Sequence, residues 1–506
     1  MVAGDAQTDR TINNPPARQF GEMSAKETFN VDKERQFSEW YNRIVREATI
    51  IDDRYNVKGF IIYRPWGMAM IKEIYKLYEE ELERRGHLPT LFPVVIPEEN
   101  LQKESEHVKG FTPEVFWVTH GGNEPLEKRL ALRPTSETAF YPMYALWIRS
   151  ARDLPLKLYQ SCSVFRYETK ATKPLLRGRE FLWIESHDAF QTEQDALEQV
   201  KEDMEITVKV LGELGIPVMF CRRPQWDKFK GAVDTYAADC LMPDGKLNQV
   251  ASTHYLGRRF SEAFGIYFQG EDGESRAVYQ TCFGPGIGRA LAALISIHGD
   301  NSGLVLPFQA APIQVVVVPI PGEERVLELC RSVFTNLKEG GIRVYLDLEE
   351  RSPGSKYYHW EMMGVPFRIE IGAKECSGGY ATVFRRDTRR RTQVPVEGLA
   401  DWLRKEGARM LQDLYEKAQR RFEAKIAEVE TMEKALESLS KGYEVLKAPF
   451  CSIEMEGAEC GEKVREKLGL EVRGRRLDKE EKPTSKAKCI ACGREATEIV
   501  YMAAAY

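Results

Sequence analysis

The feature that most restricts the folds open to this chain is a returning pair of stretches with an arginine near each loop end. Phe165-Arg166-Tyr167-Glu168 closes an apolar, strand-like run, and after a polar loop the chain returns through Arg177-Gly178-Arg179-Glu180-Phe181-Leu182-Trp183. A returning hairpin can carry two arginines and an aromatic together. Planar guanidinium groups take phosphate oxygens two at a time, and an aromatic face can stack on a purine. Further on, Phe283-Gly284-Pro285-Gly286-Ile287-Gly288-Arg289 leads into an apolar run, Ala290 to Ile297, with helix character. Glycine lets backbone approach a ligand and turn sharply into a helix. By itself this second segment is equally a plain loop-to-helix turn; paired with the arginine hairpin it fits a nucleotide. It is no P-loop, since Gly-x-x-x-x-Gly-Lys-Ser/Thr is absent, and the strand and distal acid of a dinucleotide fold are not evident.

The rest of the chain reads as several domains, as 506 residues and 43% hydrophobic content allow. A net charge of −5 excludes a globally basic nucleic-acid binder, so any RNA contact must come from local patches. Residues 1–30 are polar, hold Asn13-Asn14-Pro15-Pro16, lack a signal-peptide core and read as a disordered leader. No apolar run approaches a membrane span, and ten cysteines without a secretory signal read as reduced thiols or metal ligands in a cytoplasmic protein. Helical spacing covers Glu34 to Arg46 and Trp66 to Gly86, followed by an extended, proline-broken stretch from Leu91 to Pro97. Strands and helices then alternate irregularly to about Leu306, which suits an antiparallel sheet flanked by helices. Beyond Pro307 an α/β pattern takes over. Strands are expected at Ile313 to Pro319, Ile342 to Asp347 and Phe367 to Ile371, and helices at Glu323 to Glu339 and Lys356 to Met363. A charged helical segment from 398 to about 440 leads to a last module with Cys451, Cys460, Cys489 and Cys492. Its Cys-Ile-Ala-Cys knuckle plus two further cysteines reads as a structural Zn²⁺ site, with free thiols as the alternative.

Phe-Arg-x-Glu, a loop and an aromatic resemble motif 2 of the class II aminoacyl-tRNA synthetases, and the glycine-arginine segment resembles their motif 3. Arg133-Pro134-Thr135-Ser136-Glu137-Thr138, Phe181-Leu182-Trp183-Ile184-Glu185-Ser186-His187, Lys228-Phe229-Lys230-Gly231-Ala232 and Thr253-His254-Tyr255-Leu256-Gly257 narrow the likeness to prolyl-tRNA synthetases. Gly364 to Gly372 and the terminal Tyr506 extend it, as in the archaeal and eukaryotic branch. The resemblance implies an α+β fold with a class II catalytic domain over 31–306. An α/β anticodon-binding domain over 307–400 and a helical linker with a zinc module over 401–506 would follow. It also implies activation of L-proline with ATP, accompanied by Mg²⁺, and transfer to tRNA(Pro), by a homodimer joined through motif 1 around Pro93.

By the same resemblance Arg166 would hold the α-phosphate, Glu168 would face the adenine amino edge and Arg177 would take the γ-phosphate. Phe181 would stack on the base and Arg289 would cover its other face. Arg166 and Arg289 are thus the expected catalytic groups, because adenylate formation needs positioning and charge neutralisation and no protein acid or base. Thr135, Glu137, Arg166, Trp183, His187, Phe229, Ser252, His254 and Cys282 match proline-pocket positions. Thr135 and Glu137 would accept from the secondary ammonium, and Trp183 and Phe229 would wall the ring. Arg351, Lys356, Arg368 and Lys374 are the expected tRNA contacts; Arg385-Arg386 and Arg389-Arg390-Arg391 are either phosphate contacts or a solvated face.

Two departures from the family pattern stand out. The motif 3 region here runs Thr281-Cys282-Phe283-Gly284-Pro285-Gly286-Ile287-Gly288-Arg289, read as a longer, glycine-rich loop, and the spacing from Cys451 to Cys460 is longer than is usual in the family. The rival readings are a threonyl or histidyl enzyme and a catalytically dead, RNA-binding relative. Thr135 and Glu137 stand where a threonyl enzyme would need zinc ligands, and retention of Arg166, Glu168, Phe181 and Arg289 argues against a dead one. No large insertion separates the two ATP motifs, so no editing domain is expected.

Overall fold

The returning stretches do form a hairpin: Val164 faces Phe181 and Phe165 faces Glu180 across an antiparallel ladder. A computed structural model of the chain describes residues 29–107 and 114–506, so the expected leader lies, but for its last two residues, outside the described residues. The hairpin belongs to a sheet that contains β1 (Leu88–Pro89), β2 (Leu156–Phe165), β3 (Glu180–Phe190), β4 (Met219–Arg222), β5 (Asp234–Leu241), β6 (Leu247–Gly257) and β7 (Tyr279–Pro285). Apart from the parallel β1–β2 pair, the neighbours among these strands run antiparallel. From Ile184 onward β3 is buried at every residue, because helices cover the sheet and leave no solvated face for polar alternation. Among the helices of this part are α1 (Glu137–Trp147), α2 (Glu193–Glu213) and α3 (Ile287–His298). Thr192 caps α2 by accepting from the Asp195 backbone N–H at 3.2 Å, and the helix buries Val200, Ile206, Val210 and Leu211.

Along the chain, α3 is followed by a five-stranded sheet of β8 (Val315–Pro319), β9 (Val344–Leu346), β10 (Phe367–Ile371), β11 (Tyr380–Arg385) and β12 (Arg390–Pro395). Its order is β9-β8-β10-β11-β12, parallel across the first three strands and antiparallel across the last. The helices α4 (Glu324–Glu339) and α5 (Pro353–Met362) make the crossovers that the α/β pattern predicts. Val315, Val317, Val326, Phe334, Ile369 and Leu403 meet in its core.

The C-terminal module adds β13 (Ile426–Glu428), β14 (Val445–Phe450), α6 (Ala458–Leu468), β15 (Glu471–Arg476) and β16 (Glu498–Ala503). The strands of this module are not confined to it. Arg475 and Arg476 of β15 pair with Arg222 and Cys221 of β4, so the module continues the catalytic sheet to eleven strands, ordered β13-β14-β16-β15-β4-β5-β6-β7-β3-β2-β1. Gly474 makes the junction possible. At φ +107 it occupies backbone space that L side chains avoid, and a Cβ there would meet the Arg222 carbonyl oxygen at 1.9 Å. The chain therefore clusters into two units that cut across the expected 31–306, 307–400 and 401–506. One comprises 53–62, 71–297 and 415–506; the other comprises the described residues up to Asp52, 63–70 and 298–414. In the second, the N-terminal helical segment is tied by Trp40 Nε1 donating to the Asp300 carbonyl (3.0 Å) and Trp66 Nε1 to the Met363 carbonyl (3.2 Å). Contacts that far apart along the chain leave no periodic trace in it.

Candidate active site

A cavity of about 360 Å³ opens over the loop end of the β2–β3 hairpin. Arg166, Glu168, Arg177, Phe181, Trp183, Ser252 and Arg289 all line it, which brings together every residue expected to hold the nucleotide. Arg166 follows the last residue of β2 and donates through Nε to the Pro134 carbonyl at 3.1 Å, with its guanidinium 5.2 Å from the Phe181 ring centre. It is open to solvent through the cavity yet surrounded by protein, and that desolvation lowers its pKa while Glu137, Glu185 and Glu168 oppose the shift. Arg177 and Glu168 lie 3.8 Å apart across the connecting loop. Arg289 donates to the carbonyls of Leu176 and Gln249, each at 3.1 Å. Burial first, then repulsion from Arg166 and Arg177, brings its pKa down to about 10. Four arginines, Arg166, Arg177, Arg289 and Arg473, line the cavity against three acids, Glu168, Asp227 and Glu471, and this excess of positive charge makes a site for a polyanion.

The expected long glycine loop is corrected by the structure. Phe283, Gly284 and Pro285 are the end of β7, and a single residue, Gly286, separates them from α3. The glycines serve close packing here. A Cβ on Gly284 would meet Trp183 Cζ2 at 2.3 Å, and one on Gly288 would meet the Leu175 carbonyl oxygen at 3.0 Å.

Antiparallel register explains the neighbouring polar pocket. His254 on β6 pairs with Cys282 on β7, which pairs with His187 on β3, so the three form one row on one face of the sheet. Thr135 and Glu137 reach this row from the start of α1. Thr135 Oγ1 donates to Glu137 Oε2 at 2.6 Å, and Cys282 Sγ donates to Glu137 Oε1 at 3.3 Å. Burial, then Glu137, raises the Cys282 thiol well above its ordinary range, so it remains a donor. His254 sits between Thr235 Oγ1 (2.9 Å) and Ser252 Oγ (3.1 Å), with Phe229 against its ring at 4.8 Å. Burial and the nearby His187 push its pKa down to about 3, so it is neutral at physiological pH.

His187 faces the protein interior. It is fully buried, with Nε2 3.1 Å from Glu185 and Nδ1 3.4 Å from the Tyr141 hydroxyl. Glu137, His187 and Cys282 offer ligand atoms within 4.8 Å of one another, but both His187 nitrogens are already engaged. Glu185, which the sequence reading did not single out, is the hub beneath the pocket. It accepts from Ser136 Oγ (2.5 Å), the Ser136 backbone N–H (3.0 Å), Gln160 Nε2 (2.8 Å) and Thr135 Oγ1 (3.2 Å). Burial raises its pKa, but hydrogen bonds from His187, Ser136 and Gln160 outweigh that and bring it to about 2. The same partner raises the His187 pKa against the effect of burial. Its spacing of two from His187 on a buried strand was the available signal.

The expected tRNA contacts divide. Lys374 is exposed, and Arg351 is partly exposed and paired with Glu349 and Asp347. Lys356 is buried, donating to the Asp347 carbonyl at 2.8 Å. Arg368 is buried between Glu361 and Glu370, each at 2.9 Å, with Tyr357 and Phe384 against its guanidinium. These two hold the domain together and do not present free charge. The solvated-face alternative also fails for Arg385 and Arg386, buried against Asp387 and Asp300 respectively, while Arg389 and Arg391 are half exposed.

In the C-terminal module, the Sγ atoms of Cys451, Cys460, Cys489 and Cys492 all lie within 4.8 Å of one another, a cluster that can hold a metal ion. The long spacer is taken up by a 3₁₀ turn, Met455–Gly457, and the first turn of α6, which return Cys460 to 3.6 Å from Cys451. Burial raises the Cys492 thiol pKa, but Arg494, at 3.3 Å through Nε, outweighs it and lowers the pKa toward the metal-binding thiolate. The remaining cysteines are also unpaired. No described helix is long and apolar enough to cross a membrane.

Comparison with known proteins agrees with this geometry. Residues 116–298 match the tRNA synthetase class II core domain (G, H, P, S and T), 314–406 an anticodon binding domain, and 432–506 the prolyl-tRNA synthetase C-terminal domain. Proline–tRNA ligase of Thermofilum pendens is 53% identical over 489 residues, 95% of this chain and 100% of that protein. That of Pyrococcus horikoshii is 44% identical over 476 residues, 93% and 98% of the two chains. Among solved structures, Giardia lamblia prolyl-tRNA synthetase with prolyl-adenylate superposes with a TM-score of 0.90 at 36% identity, covering 95% of this chain and 100% of that one. The Cryptosporidium parvum enzyme with halofuginone and AMPPNP gives 0.89 at 32%, covering 95% and 99%.

Proposed function

The chain belongs to the prolyl-tRNA synthetases of class II, which activate L-proline with ATP and charge tRNA with it, and on that premise we propose how its residues divide the work. Arg166 and Arg289 grip the ATP phosphates and base, Arg177 takes the γ-phosphate, Phe181 stacks on adenine and Glu168 meets its amino edge. The observation that carries this is the single cavity in which these five side chains converge. Proline binds deeper, beyond Trp183. Its ammonium is taken by Glu137 and Thr135, and its ring lies among Trp183, Phe229 and the row of Ser252, His254 and Cys282. Neutral His254 suits an apolar ring better than a charged imidazolium would. His187 supports the pocket from behind through Glu185.

The proline carboxylate then attacks the α-phosphorus and pyrophosphate departs. Arg166 offsets the charge that builds on the α-phosphate, held ready by the Pro134 carbonyl. Mg²⁺ entering with ATP would neutralise further phosphate charge. The four cysteines are proposed to hold one structural Zn²⁺, since four thiolates close a tetrahedral shell and leave no position for substrate. Of the four expected tRNA contacts, Lys374 and Arg351 remain candidates for the proline tRNA, in the cytoplasm, together with the exposed Arg389, Arg390 and Arg391. A homodimer through the region of Pro93 is supported by exposed apolar side chains around it, Leu88 (61%), Leu91 (76%) and Val94 (41%), and by the position of β1 as the last strand of the sheet.

ATP–pyrophosphate exchange over the twenty amino acids tests the reading. Proline should be the best substrate by a wide margin; a different preferred amino acid would overturn the pocket assignment.

A further inference from the structure

Three side chains outside the expected site, Asp239, Arg223 and Arg473, form a buried ionic network beside Arg289, and Arg473 also pairs with Glu471 at 2.9 Å. Asp239 on β5 is fully buried. It accepts from Arg223 Nη2 at 2.9 Å and from Arg473 through Nη2 at 2.9 Å and Nε at 3.1 Å. Arg223 lies one residue beyond β4, whereas Arg473 arrives from the C-terminal strand β15, 234 residues from Asp239. The ladder between β15 and β16 slips between Val472 and Gly474, so Arg473 is the extra residue of a bulge, a device that re-aims a side chain. Arg223 also donates through Nη2 to Gln249 Oε1 at 3.0 Å and through Nη1 to the Arg473 carbonyl at 3.0 Å. The backbone carbonyl of that same Gln249 accepts from Arg289. Arg473, Glu471 and Gln249 all line the cavity with Arg289.

We propose that Arg473 is a positioning residue for adenylate formation: together with Arg223 it saturates Asp239, so that Arg289 stays directed into the ATP cavity instead of turning to a buried carboxylate. Asp239 attracts Arg289 and Arg473 repels it, and both act on Arg289 strongly enough to register in its depressed pKa. A buried carboxylate that loses one of two cationic partners seeks another, because leaving it part-paired in the interior is costly. Arg289 is the nearby cation without a carboxylate of its own among its hydrogen-bond partners, which are backbone carbonyls. On this reading the C-terminal module completes the adenylation site through its β15 strand, independently of the four-cysteine cluster.

The inference rests on the assignment of Arg289 to ATP, and the two can fail separately. Exchange activity that survived Arg289→Ala would sink the assignment. For the inference itself, proline-dependent ATP–pyrophosphate exchange is measured on the full-length protein with Arg473→Met, Asp239→Asn and the double variant. Arg473→Met should raise the KM for ATP about 10-fold or more while the KM for proline moves less than about 2-fold, because Arg289 faces the nucleotide. In the double variant no buried carboxylate remains to capture Arg289, and Glu471, the other partner of Arg473, is half exposed to solvent, so the ATP KM should recover at least half of that loss on a logarithmic scale. If Arg473 merely docks the strand, the double variant will be as impaired as Arg473→Met or worse, and proline and ATP constants will shift together; either result overturns the proposal. Should Arg473→Met not fold, the double variant decides alone. An ATP KM within about 3-fold of that of Asp239→Asn supports the proposal, and a larger rise refutes it.

Discussion

Replacing Gly284 with alanine adds one methyl group at a place where the fold has left no room for it. The added Cβ would lie 2.3, 2.8 and 3.1 Å from Trp183 Cζ2, Cη2 and Cε2, whereas ordinary contact begins near 3.4 Å. The backbone there is ordinary strand, so alanine carries no conformational penalty and the whole effect is steric. The indole must therefore retreat by about 1 Å, and overpacking of this kind costs about 1–3 kcal/mol. Trp183 is wedged between β7 and the cavity, with Phe181 at 5.7 Å and the Arg166 guanidinium at 5.9 Å, so the retreat is into the space assigned to proline. At about 1.4 kcal/mol per tenfold, the KM for proline should rise roughly 5- to 150-fold. Steady-state pyrophosphate exchange at saturating ATP measures it, with a thermal melt to check that the fold persists. Adding Trp183→Phe removes the ring that collides, so the double variant should bind proline better than Gly284→Ala alone. A proline KM within twofold of the parent, in a protein that melts normally, would show that Trp183 is not a wall of the amino-acid pocket.

Arg166→Ala should lower exchange by about 10²–10³-fold with the melt unchanged, as expected for one lost charge-stabilising donor; retention within a few-fold would refute the clamp. Metal analysis of protein purified with reduced thiols and no chelator should find one zinc per chain, and Cys489→Ser should lose it. The module should loosen without unfolding, because Leu446, Phe450, Val464, Val472 and Met502 give it an apolar core that does not depend on the metal; unfolding of the whole sheet would contradict this. Acid titration probes Glu185. With its pKa brought down to about 2 from an unfolded value near 4.5, its contribution is complete above about pH 4.5 and is lost as the pH falls toward 2. That window corresponds to about 3 kcal/mol, and a Glu185→Gln variant whose stability fell as steeply between pH 4.5 and 2 would place the acid sensitivity elsewhere.

What the sequence by itself determined is local. The hairpin with Arg166 and Phe181 at its loop end depends on a short alternation and a polar loop, the Cys489–Cys492 knuckle on a two-residue spacing, and β10 on one β-rich run from Phe367 to Ile371; all three stand where they were expected. The row of His187, Cys282 and His254 was foreshadowed by family resemblance, but its physical cause is strand register. Tertiary structure alone decided which charges are available. Arg368 and Lys356 look like RNA contacts in a string of residues, yet Glu361 and Glu370 neutralise the one and Asp347 the other inside the fold. It also decided that the C-terminal module joins the catalytic sheet, because a strand edge advertises its partner by backbone geometry and not by residue type. Glu185 and Arg473 were missed for the same reason: a buried charge is defined by partners that its own segment does not contain, Ser136 and Gln160 for the one and Asp239 for the other.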